Sequence, residues 1–399
     1  MSRKKGVTSS EKENREKSDN DLAVTLRNIG IEFYKEGDHA SALSAMEVAF
    51  KLKPNSPFLR KRVDKLRTEV GGIKSGKLSQ EEKKNDAPFP QRPMKTVSQD
   101  HYVSAYEAFR KSACEVWSAK YEAMKANYCN LGDVVAKIET AYKNNESLSV
   151  IRSGDGEGSL LYRFSSGYDE ELFYLCARGS LRLHFGPQNY KYDDLFFWAN
   201  ELLSAFMSSD VITSARNGSA VDNLLSNDHE FDFRSKVGQL AGSLVPHSIA
   251  LNNGRAIYPT GHLHRDLIPC YKDLFYGKTV ILIGPNGNSF AKEFSEYFGC
   301  EVSDIITIPG QYIVEKGELK RSLYPDFYQK TLLDIFDLQL KGKLCLVGAG
   351  LAGKVYCSKI AAMGGVALDV GSMMDAWAGK KARKYHSSSF LERSSVSKG

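Results

Sequence analysis

From residue 148 to residue 370 the chain alternates short apolar runs with longer amphipathic segments, and this rhythm restricts its fold more than any other feature. The runs at 148–151, 211–213, 249–251, 279–283, 305–308, 344–347 and 366–370 are apolar on successive residues, so both of their faces need burial. Segments of helical periodicity lie between them, among them 195–207, 288–298, 327–340 and 352–363. Strands buried on both faces and joined by helices predict an α/β fold: a Rossmann-like, mostly parallel sheet with helices on both faces. Ligands of such sheets bind beyond the carboxyl ends of the strands.

With 399 residues the chain has room for more than this domain. Residues 1–20 are Lys, Glu, Ser and Asn with almost nothing to bury, and are expected to be disordered. Over 21–70, Leu26, Ile29 and Phe33 recur at helical spacing, Gly37-Asp38 interrupts, Ala42, Met46 and Ala49 resume, and Pro54 closes the pattern. This small all-α hairpin resembles a tetratricopeptide repeat, with Leu26 at the position of the large aromatic; an ordinary helical hairpin is the plainer alternative. A lone repeat cannot bury its own faces, which predicts a protein partner or packing on a following helix at 56–70. Residues 71–98 have the composition of a linker, 99–145 form a helical lead-in, 146–384 the α/β domain, and 385–399 a polar, Ser-rich tail.

Hydrophobic residues at 42% and charged residues at 26% are ordinary for a soluble protein. The net charge of +6 is mild, and part of it sits in Arg3-Lys4-Lys5 and Lys380-Lys381-Ala382-Arg383-Lys384, so no nucleic-acid partner is expected. Seven cysteines without a C-x-x-C pair read as free thiols in a reducing compartment. With no apolar leader and no apolar run long enough to span a bilayer, the expected location is the cytoplasm.

Chemistry concentrates at three glycine-rich turns. Residues 148–159 read Leu-Ser-Val-Ile-Arg-Ser-Gly-Asp-Gly-Glu-Gly-Ser. An apolar strand ends at Arg152 and Gly154, then presents Asp155 and Glu157. On an extended backbone residues i and i+2 share a side, which would offer two hard oxygens to Mn²⁺ or Mg²⁺ and, through it, to a diphosphate. A bare turn is the alternative. Near the other end, Gly348, Gly350 and Gly353 satisfy G-x-G-x-x-G between a strand and a helix, with Asp369 where a ribose-binding acid would stand. That leaves open an NAD(P)-dependent oxidoreductase. Its position argues against this, because a dinucleotide fingerprint opens its domain and here few residues follow. A glycine turn feeding a helix N-terminus still makes an anion site. The third turn, Gly284-Pro-Asn286-Gly287-Asn288-Ser289, lacks the lysine of a P-loop and is read as a turn with a cap.

Asp369-Val-Gly371-Ser-Met-Met-Asp375-Ala-Trp377, followed by Arg383, offers a carboxylate, a stacking face and a guanidinium in close succession, unless Trp377 belongs to the core. Thr260-Gly-His262-Leu-His264-Arg265-Asp266 has a His-x-His pair but no third metal ligand at a telling spacing, so substrate-contacting or structural histidines are expected. Ser214-Ala-Arg216-Asn217-Gly218 is a further candidate for the cleft wall.

Arg152-Ser-Gly154-Asp155-Gly-Glu157 resembles the Arg-x-Gly-Asp-Gly-Glu motif of GT-D-type glycosyltransferases. The stretch from Gly348-Ala-Gly350 through Asp369-Val-Gly371-Ser to Asp375-Ala-Trp377-Ala-Gly is similar to that family's C-terminal block. The resemblance covers about residues 130–385 and implies a nucleotide-sugar donor, an acceptor such as a glycan or glycoprotein, and a divalent metal at Asp155 and Glu157. It names no catalytic base; Asp375, Asp266 and His264 are the candidates. A non-catalytic scaffold that keeps the helical repeat and a degenerate α/β domain is the third possibility.

Overall fold

The computed structural model describes residues 46, 50, 53, 56–75, 98–186, 188–226, 233–310, 312–315, 318–381, 386–387 and 396, in two contact units, Met1–Lys95 and Thr96–Gly399. In the first unit Pro57 occupies the first position of α1 (Pro57–Ser75), where its missing N–H costs nothing, and Ser56 Oγ accepts from Leu59 N at 3.3 Å. Leu59, Val63 and Leu66 form its buried stripe, and Met46 is buried too. The repeat positions Leu26, Ile29, Phe33, Ala42, Ala49 and Pro54 lie outside the described residues, as do residues 1–20 and 76–97. α1 runs on to Ser75, five residues into the stretch whose composition suggested a linker.

The second unit begins with α2 (Gln99–Lys125), capped by Ser98. Tyr106, Phe109, Ala113 and Trp117 give it a buried face at helical spacing. A reciprocal Asn130–Asp133 capping box opens α3 (Leu131–Asn144), and Asn145 closes it in the left-handed region at φ 55°.

The sheet then builds outward from its middle. β1 (Leu148–Ile151) is followed by α4 (Asp155–Leu161), α5 (Glu170–Phe185), α6 (Tyr192–Ser208) and β2 (Val211–Thr213). α7 (Phe233–Asn253) leads to β3 (Ala256–Tyr258), and β4 (Thr279–Gly284) is joined by α8 (Asn288–Phe298) to β5 (Glu301–Thr307). An antiparallel pair stands apart from the main sheet, β6 (Tyr312–Glu315) and β7 (Glu318–Ser322). α9 (Tyr328–Phe336), β8 (Leu344–Val347), α10 (Gly350–Ala362), β9 (Val366–Asp369) and α11 (Met373–Trp377) complete the unit.

The seven main strands are all parallel, in the order β3-β2-β1-β9-β8-β4-β5. The Rossmann-like α/β fold is therefore the one the alternating pattern predicts. Alternate residues of each strand serve separate cores. Ile151, Ile281, Cys345 and Ala367 join one, while Val150, Val280, Leu346 and Leu368 join the other. The first core includes residues of α2, α4 to α7, α9 and α10; the second includes residues of α3, α8 and α11. Both faces are covered, as a parallel sheet requires.

One strand expectation is corrected. Residues 249–251 are not extended; they finish the 21-residue α7, with Ile249 and Ala250 buried. A short apolar run in a buried helix has no period to distinguish it from a buried strand. The strand starts only after Gly254, whose φ of +62° turns the chain. Among the described residues no helix is long and apolar enough to cross a membrane.

Candidate functional site

β1 and β9 are neighbours at the centre of the sheet, yet the chain leaves β1 toward β2 and reaches β9 from β8 on the opposite side. That divergence opens a crevice at their carboxyl ends. A cleft of about 780 Å³ lies there.

The turn after β1 is fixed from below. Ser153 N donates to Thr213 Oγ1 at 2.9 Å, and Ser153 Oγ donates to Gly242 O at 2.6 Å. Gly158 lets α4 lie directly on α7, for a Cβ there would stand 1.8 Å from Gly238 O. The turn therefore becomes helical at once. Asp155 and Glu157 are the first and third residues of α4, not members of an extended segment. Residues two apart on a helix do not face each other. Asp155 is exposed on the cleft wall, whereas Glu157 is buried.

Glu157 has a different partner. Lys354 Nζ lies 2.7 Å from Glu157 Oε1, 3.1 Å from Asp369 Oδ2 and 2.9 Å from the Gly350 carbonyl oxygen. The Lys354 side chain is only 4% exposed. Burial works to raise the Glu157 carboxyl, but Lys354 and His184 more than offset it and hold its pKa below the ordinary value. Burial likewise works to lower the Lys354 ammonium, and Asp369 with Glu157 hold it up. Arg152 extends the network. Its Nε donates to Asp369 O at 3.0 Å, Nη2 pairs with Asp369 Oδ1 at 3.2 Å, and Nη1 lies 2.8 Å from His264 Nδ1. Gly371 makes room for it: with φ +50°, a Cβ there would stand 2.0 Å from Arg152 Nη2.

These contacts decide the fate of the expected site residues. Arg152, Gly154, Asp155, Gly348, Gly350 and Gly371 converge on the cleft, and Asp375 joins them. Glu157 also borders it, from beneath Lys354. The pair does not fit a shared divalent cation: Asp155 is exposed, whereas Glu157 is buried with an ammonium already 2.7 Å from its Oε1. Among the described residues no cluster of three or more His, Cys, Asp or Glu could hold a metal ion. Asp369 is spent inside the network at 0% side-chain exposure, so it presents no carboxylate to a ribose. Trp377 is 1% exposed and packs against Tyr271, Phe275, Phe294 and Phe298; it is a core residue and offers no stacking face. Arg383 lies outside the described residues. His262, His264 and Arg216 reach the cleft, whereas Asp266 accepts from the Tyr258 hydroxyl at 2.9 Å. Asn286 is buried, donating to Met374 O at 2.9 Å and accepting from Lys380 Nζ at 2.6 Å.

Sequence reasoning missed Lys354, His184 and Gln239. Lys354 had a signal, being the one charge in the otherwise apolar run 350–357. His184 and Gln239 had none, because only tertiary packing brings α5 and α7 to the cleft. The cleft also differs along its length. Arg152, Arg216, His262 and His264 follow β1, β2 and β3, while Ile308, Pro309 and Leu351 follow β5 and β8. Cations and carboxylates therefore both line the cleft, with a small aliphatic patch after β5 and β8.

No family model matches the sequence, and no curated protein matches it. Solved structures similar to it include one described as the selenomethionine-substituted structure of domain of unknown function 1792, at 16% identity over 64% of this chain and 83% of that one, with a TM-score of 0.37. Another, reported as "the highly conserved domain of unknown function 1792 has a distinct glycosyltransferase fold", has 16% identity over 63% of this chain and 82% of its own, with a TM-score of 0.36.

Proposed function

We propose that the chain is a glycosyltransferase that moves a sugar from a nucleotide-sugar donor to an acceptor hydroxyl on a glycan or glycoprotein, as its GT-D-like motifs imply. The observation that carries this reading is Arg152, locked onto the cleft floor by Asp369 and Gly371 at the crevice between β1 and β9. In sugar transfer the bond from the anomeric carbon to the diphosphate oxygen breaks, and negative charge grows on the departing nucleoside diphosphate. A fixed guanidinium meets that charge without reorganising, and the N-terminus of the 13-residue α10 adds its dipole. In this reading Asp155 or Asp375, both of which line the cleft, takes the acceptor proton. The reading does not use Mn²⁺ or Mg²⁺ between Asp155 and Glu157, since Lys354 already supplies the cation at Glu157. Residues 21–70 would recruit a protein partner. The oxidoreductase alternative loses its ribose ligand with the burial of Asp369.

The test is calorimetric titration of nucleoside diphosphates, nucleotide-sugars and NAD(H) into the full chain, with Mn²⁺ and with a chelator. The expected result is binding of one nucleotide series in both buffers, weakened about ten-fold or more by Arg152→Lys. NAD(H) binding with no nucleoside diphosphate bound would overturn the reading. For the donor that binds, sugar transfer or donor hydrolysis should fall about 100-fold or more in Asp155→Asn or Asp375→Asn.

A further inference from the structure

The turn after β2 holds a second guanidinium on different terms from Arg152. Arg152 is paired with Asp369, so its charge is answered from within the fold. Arg216 has a neutral partner instead: its Nε donates to Gln239 Oε1 at 3.0 Å. Among the described residues that is the one bond its side chain makes, and no carboxylate pairs with it. Its two Nη atoms are neither enclosed nor partnered there, and the residue lines the cleft together with Gln239. A guanidinium carries five N–H groups, so with Nε engaged the four on Nη1 and Nη2 remain to donate.

α7 sets this posture. Ser235, Gln239 and Ser243 recur every four residues and share one face of the helix. Gln239 Nε2 donates to Ser235 Oγ at 2.7 Å, which turns the amide oxygen toward Arg216; the flipped amide would set N–H against N–H. Ser243 Oγ accepts from the Arg216 main-chain N at 3.1 Å and donates to the Gln239 carbonyl oxygen at 2.8 Å. Ser214 Oγ donates to the Arg216 carbonyl oxygen, so the backbone is held on both sides. An arginine fixed in this way loses little rotamer freedom when it meets an anion. Because an amide orients it rather than a carboxylate, its charge stays available to a ligand.

We propose that Arg216 reads an anionic group on a saccharide, a carboxylate or phosphate whose oxygens meet Nη1 and Nη2, apart from the diphosphate at Arg152. This names the substrate class, an acidic sugar, and rests on the sugar-transfer reading above. The layout of the sheet favours the separation. β9 and β8, whose end leads into α10, lie on one side of β1, and β2 lies on the other. A diphosphate bridging Arg152 and the N-terminus of α10 therefore leaves the β2 side of the cleft to the sugars. Burial first, then Arg265, Arg216 and Arg152, outweigh Asp266 and lower the pKa of His262, so that neighbour is uncharged at neutral pH.

The test uses the full chain, Arg216→Gln, Gln239→Leu and, as a charge control outside the cleft, Lys330→Gln on α9. The probes are glucuronate, glucose 6-phosphate and neutral glucose, each titrated by ligand-detected NMR with and without saturating inorganic pyrophosphate. At least one acidic sugar should bind beside pyrophosphate, about ten-fold or more tightly than glucose. That preference should be lost in Arg216→Gln, reduced in Gln239→Leu, which keeps the charge but not its posture, and unchanged in Lys330→Gln. Pyrophosphate should weaken less than about three-fold in Arg216→Gln at about 0.15 M salt, which also shows that the cleft of this variant is intact. No preference for either acidic sugar, or a preference that survives Arg216→Gln, would overturn the proposal. So would displacement of the acidic sugar by pyrophosphate, because Arg216 would then belong to the diphosphate site. The glucose and glucuronate conjugates of uridine diphosphate locate the group. An Arg216-dependent preference for the glucuronate conjugate puts it on the transferred sugar; equal binding of the two, with glucuronate still bound beside pyrophosphate, puts it on the acceptor. Acidic-sugar binding that depends on Arg216, with no nucleoside diphosphate or nucleotide-sugar bound, would sink the proposed function alone and leave this subsite in place.

Discussion

Lys354 shows how much one residue can settle. Its ammonium is enclosed by two carboxylates and a carbonyl oxygen, so removing the charge strands Glu157 and Asp369 in a buried site. Lys354→Met is expected to cost about 3–5 kcal/mol, read from denaturant melts. Adding Glu157→Gln should return part of that loss, because one of the stranded charges disappears with it; a strictly additive double variant would contradict the pairing. The same pair has a pH signature. The folded-state pKa of Glu157 is depressed, so its stabilisation is present above its ordinary value of 4.5 and drains away as the pH falls toward the depressed one. The folded-state pKa of Lys354 is raised, so its share persists through its ordinary value of 10.5 and is lost only above it. The melting temperature of the unaltered protein should therefore fall below pH 4.5 more steeply than that of Glu157→Gln. None of this pairing was visible in the sequence. Glu157 and Lys354 stand far apart in the chain, and the two-residue spacing of Asp155 and Glu157 suggested one shared ligand.

Elements were more legible than contacts. Six of the seven expected strands coincide with β1, β2, β4, β5, β8 and β9 to within a few residues, because successive apolar residues bounded by glycine or polar turns admit few other readings. The β6–β7 pair escaped notice, since its residues carry too many charges for the apolar-run criterion. The helical start of α4 escaped as well, because its cause is a tertiary contact with α7. Gly158 packs on backbone, 1.8 Å from Gly238 O and 2.5 Å from Gly242 N for an added Cβ, and neither neighbour can rotate aside. Gly158→Ala should cost about 1–3 kcal/mol and loosen the turn that presents Asp155. Gly179, inside α5 with nothing within 4 Å of an added Cβ, is the control. Gly179→Ala should be neutral or stabilising by about 0.5–1 kcal/mol. Equal effects at the two glycines would refute the helix-on-helix account.

At the scale of the whole molecule, contacts divide the chain between Lys95 and Thr96. Residues 96–399 include every described residue of the cleft, so a chain shortened to them should melt cooperatively and bind pyrophosphate within about three-fold of the full chain. A non-cooperative melt, or loss of binding, would show that the division is not one of independent folding. The order of the strands carries a further consequence. β1 pairs with β9, and Arg152 reaches Asp369 across 217 positions of sequence. A ribosome delivers β1 well before its central neighbour β9. Until then Arg152 and Glu157 have been synthesised without Asp369 or Lys354, and the crevice has one wall. Such long-range closure makes folding slow and exposes an unfinished sheet edge while translation continues. A chain that stops before Lys354 lacks both Lys354 and Asp369, and with them the floor of the cleft.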